Sequence, residues 1–158
     1  MSCGNDQGYV TYDIATKTGP ILNIKVLPNP GNAISCKFGP LGDIGYTDNN
    51  KKIRIHYPPG TEVFNTQYTD DILEMDFKPS SSDFGSVSKD NRLRISNSTL
   101  IFTDTSDLLT ISIGKMGEYY TFGGKTKNLF IYNQTNNKLI AYFNNFNNTI
   151  NSARLSAD

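Results

Sequence analysis

Short stretches of alternating apolar and polar residues recur along this chain, and no stretch keeps the spacing of an amphipathic helix. "KKIRIHY" at 51–57 places Ile53 and Ile55 on one face and Arg54 and His56 on the other. "NRLRIS" and "NLFIYN" repeat the alternation further along the chain. Alternation with a period of two, bounded by Gly, Asn, Asp and Pro, predicts half-buried β-strands. The chain is therefore predicted to be all-β.

The predicted strands recur with a long period. The apolar residues that open a short strand after a polar turn are Ile34, Ile72, Leu109 and Ile150, about 40 residues apart. Four short strands in a repeat of this length are typical of one blade of a β-propeller. The sequence thus predicts about four repeats in one unit spanning 1–158. Their ranges are 33–70, 71–107, 108–148, and a repeat divided between 1–32 and 149–158.

A second set of segments aligns across the repeats. These segments are "SCGNDQGYVTYD", "YTDNNKKIRIHY", "SVSKDNRLRISN" and "FGGKTKNLFIYN". Each begins with small residues, passes a polar turn and then alternates; the turn positions hold Asp6, Asn50, Asp90 and Thr126. A further strand follows in each repeat, in "PILNIKV", "TEVFNTQY", "TLIFTDT" and "KLIAYF". Each complete repeat is therefore predicted to hold four strands.

This arrangement resembles the WD40 repeat, in which the third strand ends in Trp-Asp. The corresponding pairs here are Tyr12-Asp13, His56-Tyr57, Ser96-Asn97 and Tyr132-Asn133. The resemblance implies a WD40-like β-propeller of four-stranded antiparallel blades. The chain departs from the family because it has no Trp and no Gly-His dipeptide. The family's buried His–Ser–Asp–Trp network cannot form in its usual version, so we expect apolar packing between blades to contribute more of the stability.

The two ends of the chain are predicted to share one blade. The first repeat supplies the second, third and fourth strands, and "NTINSARLSAD" at 148–158 supplies only an inner strand. Three arrangements remain open: half of a ring completed by a second copy or a partner, a piece of a larger propeller, and a small closed ring of four blades. A half or a piece is favoured, because rings of this family usually have about seven blades and four blades need steep wedge angles.

Composition argues against several functional classes. The formal net charge is +0, whereas a nucleic-acid binder usually carries a basic surplus. No apolar run approaches the roughly 18 residues of a membrane-spanning helix, and the N-terminus lacks the apolar region of a secretory signal. Cys3 and Cys36 are too few for a disulfide framework and are expected to be reduced core thiols. We therefore expect a cytoplasmic or nuclear protein that binds neither nucleic acid nor membrane.

No catalytic, metal or cofactor site is predicted. His56 is the one histidine, and no nucleophile or base accompanies it. The cysteines and His56 lack the spacing of a zinc site, and "TDNN" and "SKDN" are better explained as β-turns than as calcium ligands. The glycines at 39, 42 and 45 precede no helix that would receive a phosphate. The chain is predicted not to be an enzyme.

One group of residues suggests a binding surface. We call it the basic strip: Lys51, Lys52, Arg54, Arg92 and Arg94. Equivalent positions in adjacent blades lie side by side, so the strip would form one outward-facing patch for an acidic or phosphorylated peptide. The simpler alternative is that these residues form the solvated side of two strands.

The predicted function is a non-catalytic scaffold for protein–protein interactions, acting as a subunit or fragment of a larger assembly. Its partners would be other proteins or peptides, or a second copy that completes a ring. The alternative function is binding of a carbohydrate or small ligand between blades. The stacking faces for a sugar would be Tyr9, Tyr46, Tyr119 and Tyr120.

Overall fold

A computed structural model of the chain describes residues 2–5, 8–11, 25–28, 33–41, 43–57, 60–64, 67–96 and 99–156. Fifteen strands occur in these ranges. They are β1 (Ser2–Asn5), β2 (Gly8–Thr11), β3 (Lys25–Pro28), β4 (Ala33–Phe38), β5 (Ile44–Asp48), β6 (Ile53–Tyr57), β7 (Gly60–Phe64), β8 (Ile72–Phe77), β9 (Phe84–Ser88), β10 (Arg92–Ile95), β11 (Thr99–Thr103), β12 (Leu108–Ile113), β13 (Tyr119–Gly124), β14 (Leu129–Asn133) and β15 (Lys138–Phe143). No helix in the described ranges is long and apolar enough to cross a membrane.

The strands form four antiparallel sheets in chain order. Sheet 1 contains β1–β3, and sheets 2, 3 and 4 contain β4–β7, β8–β11 and β12–β15. The first strands of sheets 2, 3 and 4 lie next to one another, and β1 lies against β4. The all-β prediction is confirmed, and three four-stranded sheets set side by side have the arrangement expected for consecutive propeller blades.

The turn between the second and third strands is the same in sheets 2, 3 and 4. Lys51, Asn91 and Lys127 have positive φ angles of 61°, 70° and 63°. The N–H group of each donates a backbone hydrogen bond to the third residue before it, over 3.1–3.2 Å. Each of these residues directly follows an aligned turn position, so the predicted equivalence of Asn50, Asp90 and Thr126 is confirmed. Four further aligned residues, Asp6, Tyr12, Asp13 and Asn97, lie outside the described residues.

The first strand of each complete sheet begins with a bulge that the alternation pattern does not reveal. The register shifts between Ala33 and Ser35, between Ile72 and Glu74, and between Leu108 and Thr110. The equivalent opening residues are therefore Ala33, Ile72 and Leu108, whereas the sequence pattern pointed to Ile34 and Leu109. A bulge adds a residue and moves the next side chain to the other face. Accordingly Ile34 is 38% exposed while Leu108 is fully buried.

Apolar contacts between neighbouring sheets form the core. Ile53 and Ile55 of sheet 2 share a cluster with Met75, Phe77 and Phe84 of sheet 3. Leu93 and Ile95 of sheet 3 lie in the next cluster, together with buried residues of sheet 4 that include Ile111, Ile113, Tyr120 and Phe122. Sheets 2 and 3 thus each present a pair of aliphatic residues from the third strand to the sheet that follows.

Glycines allow this close approach. A β-carbon at Gly45 would lie 2.5 Å from Met75 Cε, and one at Gly85 would lie 2.7 Å from Ile111 Cδ1. Contacts this short do not occur between real side chains, so a larger residue at either position would require the facing side chains to shift.

Residues 149–156, here called the terminal segment, lie beside β12. The N–H groups of Ala153 and Leu155 donate to Thr110 Oγ1 at 3.1 Å and Ser112 Oγ at 3.3 Å. In the same way β12 lies beside β8: the N–H groups of Ile111 and Ile113 donate to side chains of β8, over 3.0 and 2.9 Å. The terminal segment therefore occupies the place that the inner strand of a following sheet would take.

The terminal segment forms no strand among the described residues, and no described ladder joins it to β1. The grouping of 1–32 with 149–158 in one shared repeat therefore stays a prediction.

Candidate functional site

Two arginines of the basic strip make contacts within the protein. Arg54 Nε lies 3.0 Å from Asp48 Oδ2, and the Asp48 side chain is fully buried. Arg94 is buried at 6% exposure, and its guanidinium lies 5.3 Å from the centre of the Tyr68 ring. The expectation that both arginines face outward is wrong, because Arg94 packs against Tyr68 of the segment before β8 and Arg54 pairs with Asp48 of its own sheet.

The remaining members of the basic strip are more accessible. Lys51 is exposed in its turn and Lys52 is half-buried. Arg92 Nη1 lies 3.5 Å from Asp90 Oδ2, with its side chain 34% exposed. The five residues therefore do not form one continuous exposed patch, and a docking role for the strip stays a prediction.

Removing charge at Lys51 and at Arg54 should affect stability differently. Lys51→Gln changes an exposed turn residue and should shift the free energy of unfolding by less than about 0.5 kcal/mol. Arg54→Gln removes the charged donor beside buried Asp48 and should cost about 1.5–3 kcal/mol. Urea denaturation of both variants measures the difference, and equal small effects would contradict the assignment of Arg54 to a structural ion pair.

A polar network that the sequence did not reveal joins the segment just before β8 to the other strands of sheet 3. The Tyr68 hydroxyl donates to the Ser86 carbonyl at 2.6 Å, and the Thr69 N–H donates to Asp90 Oδ2 at 2.8 Å. Burial raises the pKa of Tyr68 well above its ordinary value, so the hydroxyl stays protonated and available as a donor. The network therefore fixes this connecting segment on sheet 3, in addition to the apolar packing between sheets.

A second charged group lies along the inner strands. Glu74 Oε1 accepts from Lys37 Nζ at 3.1 Å and from Arg154 Nη2 at 2.9 Å, which connects β4, β8 and the terminal segment. Burial alone would raise the pKa of Glu74, but hydrogen bonds from Ile111 and Thr110 and the charge of Lys37 lower it overall. Burial raises the pKa of neighbouring Asp76. The carboxylate of Glu74 thus contacts basic residues of both β4 and the terminal segment.

The predicted stacking tyrosines for a sugar are not available as a group. Tyr46 is 2% exposed, Tyr120 is fully buried and Tyr119 is 40% exposed. The side chains of Tyr9 and Cys3 lie outside what the structure describes. Cys36 is half-buried against Ile44 and Tyr46.

His56 is half-buried on β6. In the described part of the chain, no group of three or more His, Cys, Asp or Glu residues could hold a metal ion.

The strongest candidate surface is the face of sheet 4 that points away from sheet 3, here called the open face. The ladder β13–β14 pairs Gly123 with Leu129 and Thr121 with Ile131. Leu129 and Ile131 therefore hold the positions that Ile53 and Ile55 hold in sheet 2. Those two isoleucines are 0% and 2% exposed, whereas Leu129 and Ile131 are only half-buried. Sequence alternation identified the strands, but it could not show which sheet is left without a covering neighbour among the described strands.

The open face also carries aromatic residues. Phe143 pairs with Leu129 on the neighbouring strand and is 50% exposed. Tyr119 alternates with Thr121 on β13 and therefore lies on the same face. A pocket of about 310 Å³ opens beside Tyr119 and Ile131, and Leu155 of the terminal segment forms another wall.

Comparison with known proteins defines the fold further. No protein-family model matches the sequence, and no curated protein matches it. Among solved structures, the chain is similar to the WD40 β-propeller domain of Doa1, with a TM-score of 0.65 and 14% sequence identity. The match covers 78% of this chain and 44% of the Doa1 chain, so this chain spans less than half the length of the Doa1 chain. At this identity the likeness shows the fold, an all-β, WD40-like partial propeller.

Proposed function

We propose that this chain is a non-catalytic member of the WD40-repeat family that binds other proteins or peptides, as a subunit or part of a larger assembly. The observation that supports this function is the open face. Leu129 and Ile131 occupy positions that the next sheet covers in sheets 2 and 3, yet here they remain partly exposed. Exposed apolar surface of this kind is typical of protein–protein interaction sites.

The balanced charge favours a protein partner over nucleic acid. We propose a cytoplasmic or nuclear location, and a second copy of the chain is one candidate partner. The basic strip is a weaker candidate surface, because Arg54 and Arg94 are engaged within the protein.

Affinity capture from a cell lysate tests the scaffold function. The bait proteins are the wild type, Ile131→Asp on the open face, and Leu100→Asp as a matched control. Leu100 is 49% exposed on the outer strand of sheet 3, so its substitution places the same charge on a surface away from the open face. We expect a set of proteins that the wild type and Leu100→Asp retain and that Ile131→Asp loses.

Two outcomes would contradict this proposal. One is the absence of any protein whose retention depends on Ile131, provided that all three baits melt normally. The other is saturable binding of the wild type on a glycan array, which would support the carbohydrate-binding alternative.

A further inference from the structure

The pocket on the open face has a filled counterpart one sheet earlier. A β-carbon at Gly85 of sheet 3 would lie 2.7 Å from Ile111 Cδ1 and 3.1 Å from Tyr120 Cε1. The face of sheet 3 is therefore covered by an aliphatic residue of β12 and an aromatic residue of β13. The same pattern occurs between sheets 2 and 3, where Phe84 of β9 joins the cluster of Ile53 and Ile55.

On the open face of sheet 4, the aliphatic residue of this covering has an equivalent, but the aromatic residue has none among the described residues. A β-carbon at Gly123 would lie 3.1 Å from Ile150 Cγ2, and one at Gly114 would lie 3.3 Å from Leu155 Cδ1. The terminal segment thus takes the part that β12 takes on sheet 3. The pocket lies at the side of Leu155, where an equivalent of Tyr120 would be placed. Its lining residues are Gly114, Lys115, Met116, Tyr119, Ile131, Leu155 and Ser156.

The backbone of the terminal segment has an open edge. Ile150 donates its N–H to the Gly124 carbonyl at 3.0 Å. Within the described ranges, no backbone-to-backbone hydrogen bond joins residues 151–155 to a strand. The N–H groups of Ala153 and Leu155 donate to side chains of β12, so the open edge is the opposite one, at Ser152 and Arg154. An open edge of this kind is a template for an added strand.

We propose that a partner protein adds a β-strand along residues 151–155 and inserts a Tyr or Phe side chain into the pocket beside Ile131 and Leu155. This inference rests on the proposed scaffold function and specifies the chemistry of the partner. The strand fits because β13 makes the same two contacts on sheet 3: it pairs Tyr120 with Ile113 of β12 and packs the tyrosine ring on Gly85.

A peptide titration tests this inference. The probe is a synthetic peptide copying residues 118–124, "EYYTFGG", with two added lysines for solubility. The full chain is observed by NMR through the methyl groups of Met116, Ile131 and Leu155. We expect saturable shifts of these methyl groups. The peptide carrying Tyr120→Ser should need at least a ten-fold higher concentration, since it lacks the aromatic anchor.

Protein variants place the binding on the open face. Ile131→Asp should abolish the shifts, and the matched control Leu100→Asp should keep them. The inference is overturned if the two peptides bind equally, or if no saturable shift occurs at millimolar peptide. If lysate capture still depends on Ile131, the scaffold function remains supported even though the peptide does not bind as expected. The inference also fails if the same methyl groups shift when the protein alone is concentrated and its mass doubles, because a second copy then fills the face.

Discussion

Replacing Ile55 with Asp should unfold the protein. Ile55 is 2% exposed on β6 and belongs to the cluster that joins sheets 2 and 3 through Met75 and Phe77. Truncating a buried isoleucine costs about 2–5 kcal/mol, and burying an unpaired carboxylate adds several kcal/mol more. Their sum reaches the typical stability of a domain, about 5–15 kcal/mol. We therefore expect no cooperative melting transition for Ile55→Asp by circular dichroism.

Ile131→Asp is the matched control for this prediction. It makes the same chemical change at the equivalent position of sheet 4, where none of the described sheets covers the side chain. The new carboxylate can remain hydrated, so we expect a melting transition within a few degrees of the wild type. If Ile55→Asp melts like Ile131→Asp, the third strands do not pack between sheets as described. If Ile131→Asp also unfolds, Ile131 is not part of an open face.

The local features of this fold could be predicted from sequence. Alternation placed Ile53 and Ile55 on one side of a strand, and both are buried as expected. The turn before each third strand was also predictable, since Asn50 and Asp90 are residue types that favour turns through their own side-chain hydrogen bonds. These features depend on neighbours close in sequence, which a single sequence does display.

The environment of the alternate face could not be predicted. Arg94 lies opposite Leu93 and Ile95 on β10, and alternation alone makes it a solvated residue. In sheets that stand side by side both faces are covered, so Arg94 meets Tyr68 and the Gln67 carbonyl, 3.4 Å from Nη2. Which residues line a sheet–sheet contact depends on parts of the chain that are far apart in sequence.

The candidate site, like the environment of Arg94, could be predicted from the sequence only in part. The pattern "NTINSARLSAD" indicated an inner strand, and the terminal segment does lie where an inner strand would lie. The pocket beside it arises from Tyr119, Ile131 and Leu155, which approach one another only when β12–β15 and the terminal segment pack together. No local motif signals such a pocket. Its significance becomes apparent when sheet 4 is compared with the two covered sheets before it.

Deleting residues 149–158 should destabilise the protein while leaving it folded. The deletion removes Ile150 from the backbone at Gly123 and Leu155 from the backbone at Gly114. Two half-buried apolar side chains contribute about 1 kcal/mol each. The backbone hydrogen bonds to Gly124, Thr110 and Ser112 add about 0.5–1.5 kcal/mol each. We expect a loss of about 3.5–6.5 kcal/mol, measured as a lower midpoint of urea denaturation with a cooperative transition retained.

Arg154→Ala separates the ion pair from the packing contribution of the same segment. The Arg154 side chain is 51% exposed, so its contact with Glu74 should contribute no more than about 1 kcal/mol. Leu155→Ala should cost more than Arg154→Ala, because Leu155 fills space against β12 and forms a wall of the pocket. A truncated chain with an unchanged denaturation midpoint would show that the terminal segment does not pack on sheet 4. A larger loss for Arg154→Ala than for Leu155→Ala would show that charge, and not packing, holds the segment in place.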